Sequence, residues 1–441
     1  MKNNSTRQSF VGAYSRVCLF LIFTFSFFLL ASAQQREPLR LSLEEAQKYA
    51  IEHNASMQNA TLDVKKAELA KWKTLSSMLP QVKAGVDYQN MCGYEMHMGG
   101  FNIPMNPSAT FSVTASVALT GSQIVGTMLQ DISQKMTDIA YQQTEQQTRS
   151  NVKNVYVSIL VMEQTVGLLD SSLANLERLA ATSQASVDVG AAEQVDADKL
   201  QVQVATLKSS INSTKRSLQA LRNSLLLQLG ADVNADLELT TGLDRILSVD
   251  QATQLLGQGF DITKNYNYQL LEQNEELASK NVAMAWMNIS PTLSVYYQYS
   301  KKKYFGTEGM NMTPPNMIGA NLSLPLFSSG ANTAAIKSAK IDYQEALNSR
   351  RQAEDGLRVQ YNQLCYDLAS ALETYDIQSR NLDVTQRVFA NITEKYRYGR
   401  ASSLEVTTAS SDIITAQSNY IQSVMNVVSA QIALENLLNE K

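Results

Sequence analysis

The sequence predicts a mixed α+β membrane protein in which long paired helices carry a small sheet of membrane-length strands. Three observations predict it. An N-terminal export signal sends the chain out of the cytoplasm. A helical pattern, a lone proline and two alternating segments occur in that order twice, giving an internal two-fold repeat. Each pair of alternating segments is followed by a helical pattern of about 65 residues, near 100 Å at 1.5 Å per residue, with no proline inside it.

The elements follow in order. Lys2, Arg7 and Arg16 flank the start of the chain. Val17 to Leu30 is apolar, and Ala31-Ser32-Ala33 offers small residues for cleavage. Residues 1–33 therefore read as a signal peptide. Cys18 is not at the cleavage position, so no lipid-modified N-terminus is expected. Beyond it no apolar run reaches about 18 residues, and no membrane-spanning helix is expected.

Residues 34–230 form the first repeat and 266–441 the second, joined by 231–265. Aligning Pro80 with Pro291 brings Gln58 onto Gln269, Ala67 onto Ala278 and Tyr88 onto Tyr299. Further on, Gly190 meets Gly399, Asp196 meets Glu405 and Leu229 meets Leu438. In each half a helix (56–78; 266–289) stops before proline. Strands then follow at 82–89 and 110–119, and at 293–299 and 317–326, because Val82, Ala84, Val86 and Tyr88 and their counterparts alternate with polar residues. The loops between them carry glycine and proline. Long helices run over roughly 122–187 and 330–397, end at Gly190 and Gly399, and are followed by helices at 192–229 and 402–439. Leu200, Val204, Leu207, Ile211, Leu218, Leu221 and Leu225 keep the 4-3 spacing of a seam between antiparallel helices. Tyr420, Val424, Val427, Leu434 and Leu438 repeat it less cleanly.

Strands of this length cross a bilayer when tilted. Four cannot close a barrel, and an open edge in lipid leaves N–H and C=O groups unsatisfied at several kcal/mol each. The chain must recruit copies of itself. Two would supply eight strands and three would supply twelve, and the strand count alone does not choose.

Charged residues are 18 % and net charge is −4, with no basic stripe for nucleic acid. His53 and His97 are the only histidines. A histidine metal site or a Ser-His-Asp triad is not expected, and no nucleotide-binding or hydrolase motif is present. No enzyme activity, cofactor or metal is expected. Cys92 and Cys365 fall in a loop and in mid-helix and should not pair. Trp72 and Trp286 are expected to pack in a core or groove. Tyr88, Tyr296, Tyr297, Tyr299 and Tyr304 could supply part of an interfacial aromatic girdle. Lys301-Lys302-Lys303 reads as a solvated cluster or a contact to lipid phosphates.

The ordered set resembles the outer-membrane efflux protein family of the TolC type over about residues 40–439. The resemblance rests on LSLEEAQKYAIEHN at the start, the helix–proline–strand units at Pro80 and Pro291, SLPLFSSG at 323–330 and KYRYGRASSLEV at 395–406. It implies a homotrimer with a twelve-stranded transmembrane β-barrel, four strands per chain, continued by a periplasmic α-helical barrel. Such a channel would sit in the outer membrane as the exit duct of a tripartite efflux or type I secretion system. It would work with a periplasmic adaptor and an inner-membrane pump. The other reading is a cell-surface structural or adhesive coiled-coil protein. By the resemblance Asp196 is a gating acid, Tyr396 the tyrosine that bonds to it and Glu405 an acid of a constriction ring. Arg400 neighbours Ala401, where the family has a gating arginine, and Thr408 replaces a second ring acid. Helix capping is the plain alternative for Asp196 and Glu405, since acids are favoured in a first helical turn.

Overall fold

The computed structural model describes residues 38–246, 248–306 and 314–439. The expected signal peptide at 1–33 and loop residue Gly309 lie outside them. The elements are β1 Leu39–Leu41, α1 Leu43–His53, α2 Ala55–Ser76, β2 Gln81–Gln89, β3 Glu95–Met98, β4 Phe101–Pro104, β5 Ser108–Leu119, α3 Gly121–Asp188 and α4 Gln194–Leu229. Next come β6 Leu237–Leu239, α5 Leu243–Ile246, α6 Val249–Leu256, a short 3-10 turn, α7 Tyr266–Met287, β7 Thr292–Tyr304, β8 Asn316–Ser323, α8 Ala331–Arg397 and α9 Ser403–Leu438. The long helices have 68 and 67 residues and their partners 36 each.

Strands β2, β5, β7 and β8 form one antiparallel sheet in the order β2-β5-β7-β8. Its register sorts the side chains. Val82 pairs with Ala115 and Val86 with Phe111. Val113 pairs with Tyr299 and Val117 with Val295, and Leu293 pairs with Leu322 and Tyr297 with Ile318. All share one face. The other face carries Lys83, Asp87, Thr110, Ser112, Thr114, Gln298 and Asn321. The apolar face is bare: Val86 is 70 % exposed and Ile318 79 %. Tyr88, Tyr297 and Tyr299 lie on that face, whereas Tyr296 and Tyr304 lie on the polar one. Tyr296 lies over Gly319, where a Cβ would fall 2.4 Å from the ring.

Short helices pack along both ends of each long one, α2 and α4 on α3, α7 and α9 on α8. The main core gathers Val152, Tyr156, Ile159 and Leu160 of α3, Ala46 and Ala50 of α1, Leu225 and Leu229 of α4, and Val424, Val428 and Ile432 of α9. Tyr156 is fully buried. Its hydroxyl donates to Leu41 O at 3.1 Å and accepts from Thr241 N at 3.0 Å, so burial leaves no polar atom unmet. Between α3 and α4 run ion pairs one heptad apart: Arg222–Glu163 at 2.6 Å, Lys215–Asp170 at 3.4 Å and Lys208–Glu177 at 2.6 Å. At their exposure each adds under about 1 kcal/mol, so they set register more than stability.

Several expectations change. The loop after β2 contains the hairpin β3–β4, with His97 opposite Asn102. Its Gly99-Gly100 turn has positive φ at both positions, a hairpin signal. The chain start and the inter-repeat segment pair as parallel strands β1 and β6. Strand β8 stops at Ser323 because Pro325 cannot donate to a ladder, leaving Leu326 and Phe327 more than four-fifths exposed. Trp72 and Trp286 are exposed rather than packed, at 60 % and 51 %. Helix α3 contains a stretch apolar enough to cross a membrane by length and composition, because an average tolerates the serines and glutamines that interrupt a run. Its apolar centre, Tyr156 to Val161, lies in the main core. Cys92 and Cys365 are free.

Candidate functional site

Pro80 and Pro291 each stand between a helix and the first strand of a pair. A helix cannot run on through the residue before proline, so the chain turns into the sheet there. The site expected from the sequence lies at the opposite end of the long helices.

There, two hairpin tips are built alike. Gly190 has φ +74° and Gly399 φ +67°. Gly190 N donates to Val187 O and Ala191 N to Ser186 O, both at 2.8 Å. Gly399 N donates to Tyr396 O at 2.9 Å and Arg400 N to Lys395 O at 2.8 Å. This paired closure satisfies the last carbonyls of each long helix and requires the left-handed residue glycine supplies. Arg400 thus enters the turn through its backbone, next to the tip.

The tips meet. Leu169, Leu176 and Leu179 of α3, Leu200, Leu207 and Ile211 of α4 and Val406 of α9 form one buried cluster, with Tyr396 and Ile392 of α8 packed against it. Val406 is fully buried. Beside it the Ser403 hydroxyl donates to Asp196 Oδ1, and Lys199 Nζ lies 3.8 Å from the same oxygen. Asp196 and Ser403 thereby tie the first hairpin to the second. Among the described residues Tyr396 makes no hydrogen bond to Asp196, because its ring packs into the cluster and Ser403 takes the carboxylate. Ser403 was missed in the sequence: a serine opening a helix reads as a cap, and only packing of the two hairpins aims it at Asp196.

Glu405 is a capping residue. Its Oε2 accepts from Ser402 N at 2.7 Å and Ser402 Oγ at 3.0 Å, while Glu405 N donates to Ser402 Oγ at 3.2 Å. The backbone bond from Ser402, then its hydroxyl, hold the Glu405 carboxyl below its ordinary range. Ser42 and Glu45 open α1 identically, and Glu45 is lowered for the same reason. A carboxyl lowered by folding stabilises the cap above its unfolded pKa, and that support is lost as pH falls through the folded value. Acidification from pH 6 towards 3 should therefore lower hydrogen-exchange protection, measured against the intrinsic rate at each pH, in the first turns of α9 and α1. Glu405→Gln, which keeps the reciprocal cap, should remove the pH dependence from α9 alone. Equal acid sensitivity in that variant would refute the assignment.

Among the described residues no group of three or more His, Cys, Asp and Glu is gathered as a metal site.

The chain is similar to known proteins over most of its length. Residues 265–440 match the family described as outer membrane efflux protein. The chain is 20 % identical over 354 residues to outer membrane efflux protein BepC of Brucella suis, covering 77 % of this chain and 75 % of that one. It is 22 % identical over 359 residues to outer membrane protein TolC of Salmonella enteritidis, covering 76 % and 68 %. The fold matches that of the outer membrane protein VceC from Vibrio cholerae with a TM-score of 0.72 at 14 % identity, over 90 % of this chain and 95 % of that one.

Proposed function

We propose that this chain, whose residues 265–440 match the outer membrane efflux protein family, is one protomer of an outer-membrane exit duct. The duct passes small molecules or peptides passively from a pump to the exterior. The observation that carries the reading is the sheet with one apolar and one polar face, with Val86 and Ile318 of the apolar face exposed and with β2 and β8 at its edges. In lipid those edges must pair with other copies. Eight strands would enclose a barrel filled by its own side chains, so two copies leave no duct. Three copies and twelve strands leave an aqueous lumen lined by Thr114, Gln298 and their neighbours.

The two halves are a duplicated unit, and the long helices of three copies form the periplasmic tube. Residues 231–265 with the C-terminus form its equatorial belt. A periplasmic adaptor and an inner-membrane pump supply the energy. The tips close the tube: Asp196–Ser403 holds the two hairpins of one chain together, and Glu405 from three chains faces the axis, disfavouring anions. Tyr396 holds the tip by packing.

Planar-bilayer conductance of purified, detergent-extracted protein tests this. Small, long-lived steps are expected, and larger ones after Asp196→Ala with Glu405→Ala. Steps unchanged by the substitutions keep the duct and discard this gate. Folded protein that never inserts would overturn the duct in favour of a surface coiled-coil protein.

A further inference from the structure

The segment between β2 and β5 is rich in sulfur. Within residues 90–106 stand Met91, Cys92, Met96, Met98 and Met105, and His97 besides, in a chain of 441 residues with 16 methionines. The fold brings the backbone of Met91, Tyr94 and Met105 together and sets Met96 in register beside them. Tyr94 N donates to Met91 O at 3.0 Å, and Met105 N donates to Tyr94 O at 3.0 Å. Glu95 pairs with Pro104 and Met96 with Ile103. In this register Tyr94 stands opposite Met105, so Met96 and Met105 are diagonal neighbours on one face, about 7–8 Å apart and within reach of two long flexible side chains. Met91 and Met96 are each more than a third exposed. Cys92 is exposed, held at φ +50°, with its N–H donating to Asn90 Oδ1 at 2.9 Å. His97 alternates to the other face of the strand, where its Nδ1 meets the Asn102 side chain.

Apolar packing alone does not account for sulfur here, since an exposed hairpin gains nothing from thioethers that leucine or valine would not give. Thioether and thiol ligands select soft monovalent ions over Zn(II) or Mg(II). We propose that the β3–β4 hairpin and the turn before it bind Cu(I) or Ag(I) through the thioethers of Met91, Met96 and Met105, with the Cys92 thiol as a further ligand. This site does not depend on the duct reading, and it lies at the end of the sheet away from the helices.

The test is an anaerobic titration of the full-length protein in detergent with Cu(I), against bicinchoninate as competitor, and with Ag(I) by calorimetry. One ion per chain is expected, with Zn(II) not competing. Met96→Leu with Met105→Leu keeps apolar bulk and should weaken binding by on the order of tenfold or more, as loss of ligand support does. Unaltered helical circular dichroism would show that the variant is folded. Absence of binding by the natural protein would overturn the site. So would binding unchanged in the double variant but lost in Cys92→Ser, which marks a thiol acting alone.

Discussion

Val113→Arg is expected to abolish assembly in the membrane. Val113 stands mid-strand on the apolar face, between Ala84 of β2 and Tyr299 of β7. An arginine on the lipid face near the midplane costs about 2–4 kcal/mol. In the proposed trimer the charge recurs in every chain, and each 1.4 kcal/mol is about tenfold in an equilibrium. Recovery of folded oligomer from membranes should fall by well over tenfold. Thr114→Arg, one residue on, points to the other face between Lys83 and Gln298. It should assemble nearly normally, since in the proposed duct that side faces water. The two variants differ by one position in sequence and by the full sign of the environment. Equal recovery of both, on a native gel of detergent extracts, would refute the assignment of faces.

Gly230→Val is expected to be the most damaging single change in the helical region. Gly230 ends α4 at φ +72°, and a Cβ there would fall 2.3 Å from His53 O and 2.8 Å from His53 C. Those are backbone atoms of the α1–α2 elbow and cannot swing aside. Asn54 fixes the elbow by capping α2 through Ser56 N at 2.7 Å and donating to Gln228 O at 2.6 Å. The substitution adds the left-handed penalty of about 1–2 kcal/mol to displacement of that joint, for a total above about 4 kcal/mol. Gly190 has nearly the same φ but nothing within 4 Å of its Cβ position. Gly190→Val should therefore show the conformational penalty alone. Thermal unfolding followed by helical circular dichroism reads both. Similar losses in the two variants would mean that the close approach to His53 contributes nothing.

The helices were legible because their determinants are local. The boundaries expected at 122–187 and 330–397 fall within a residue of α3 and α8, since a proline-free apolar period ending in glycine needs no distant partner to be read. Of the heptad seam, Leu200, Leu207, Ile211 and Leu225 are buried, and Val204, Leu218 and Leu221 are partly buried against the same cores. Period-2 alternation likewise marked β2, β5, β7 and β8 and the shared face of Val82, Ala84, Val86 and Tyr88, but the tyrosines grouped as one girdle divide between the two faces. Trp72 and Trp286 were misread because exposure depends on what lies beside a helix, not on the side chain's own apolarity.

What the sequence by itself determined is the order of the long helices and of the four sheet strands, the shared face of Val82, Ala84, Val86 and Tyr88, and the glycine-closed helix ends. These follow from backbone geometry and side-chain period within about ten residues. Only the tertiary structure decided which strands are neighbours and that β1 reaches across to β6. It also decided that the two hairpin tips share one cluster and that Asp196 takes Ser403 rather than Tyr396. The β5–β7, β1–β6 and Asp196–Ser403 contacts join residues about 200 apart, and the last is set by how two long helix pairs pack, which no local period encodes.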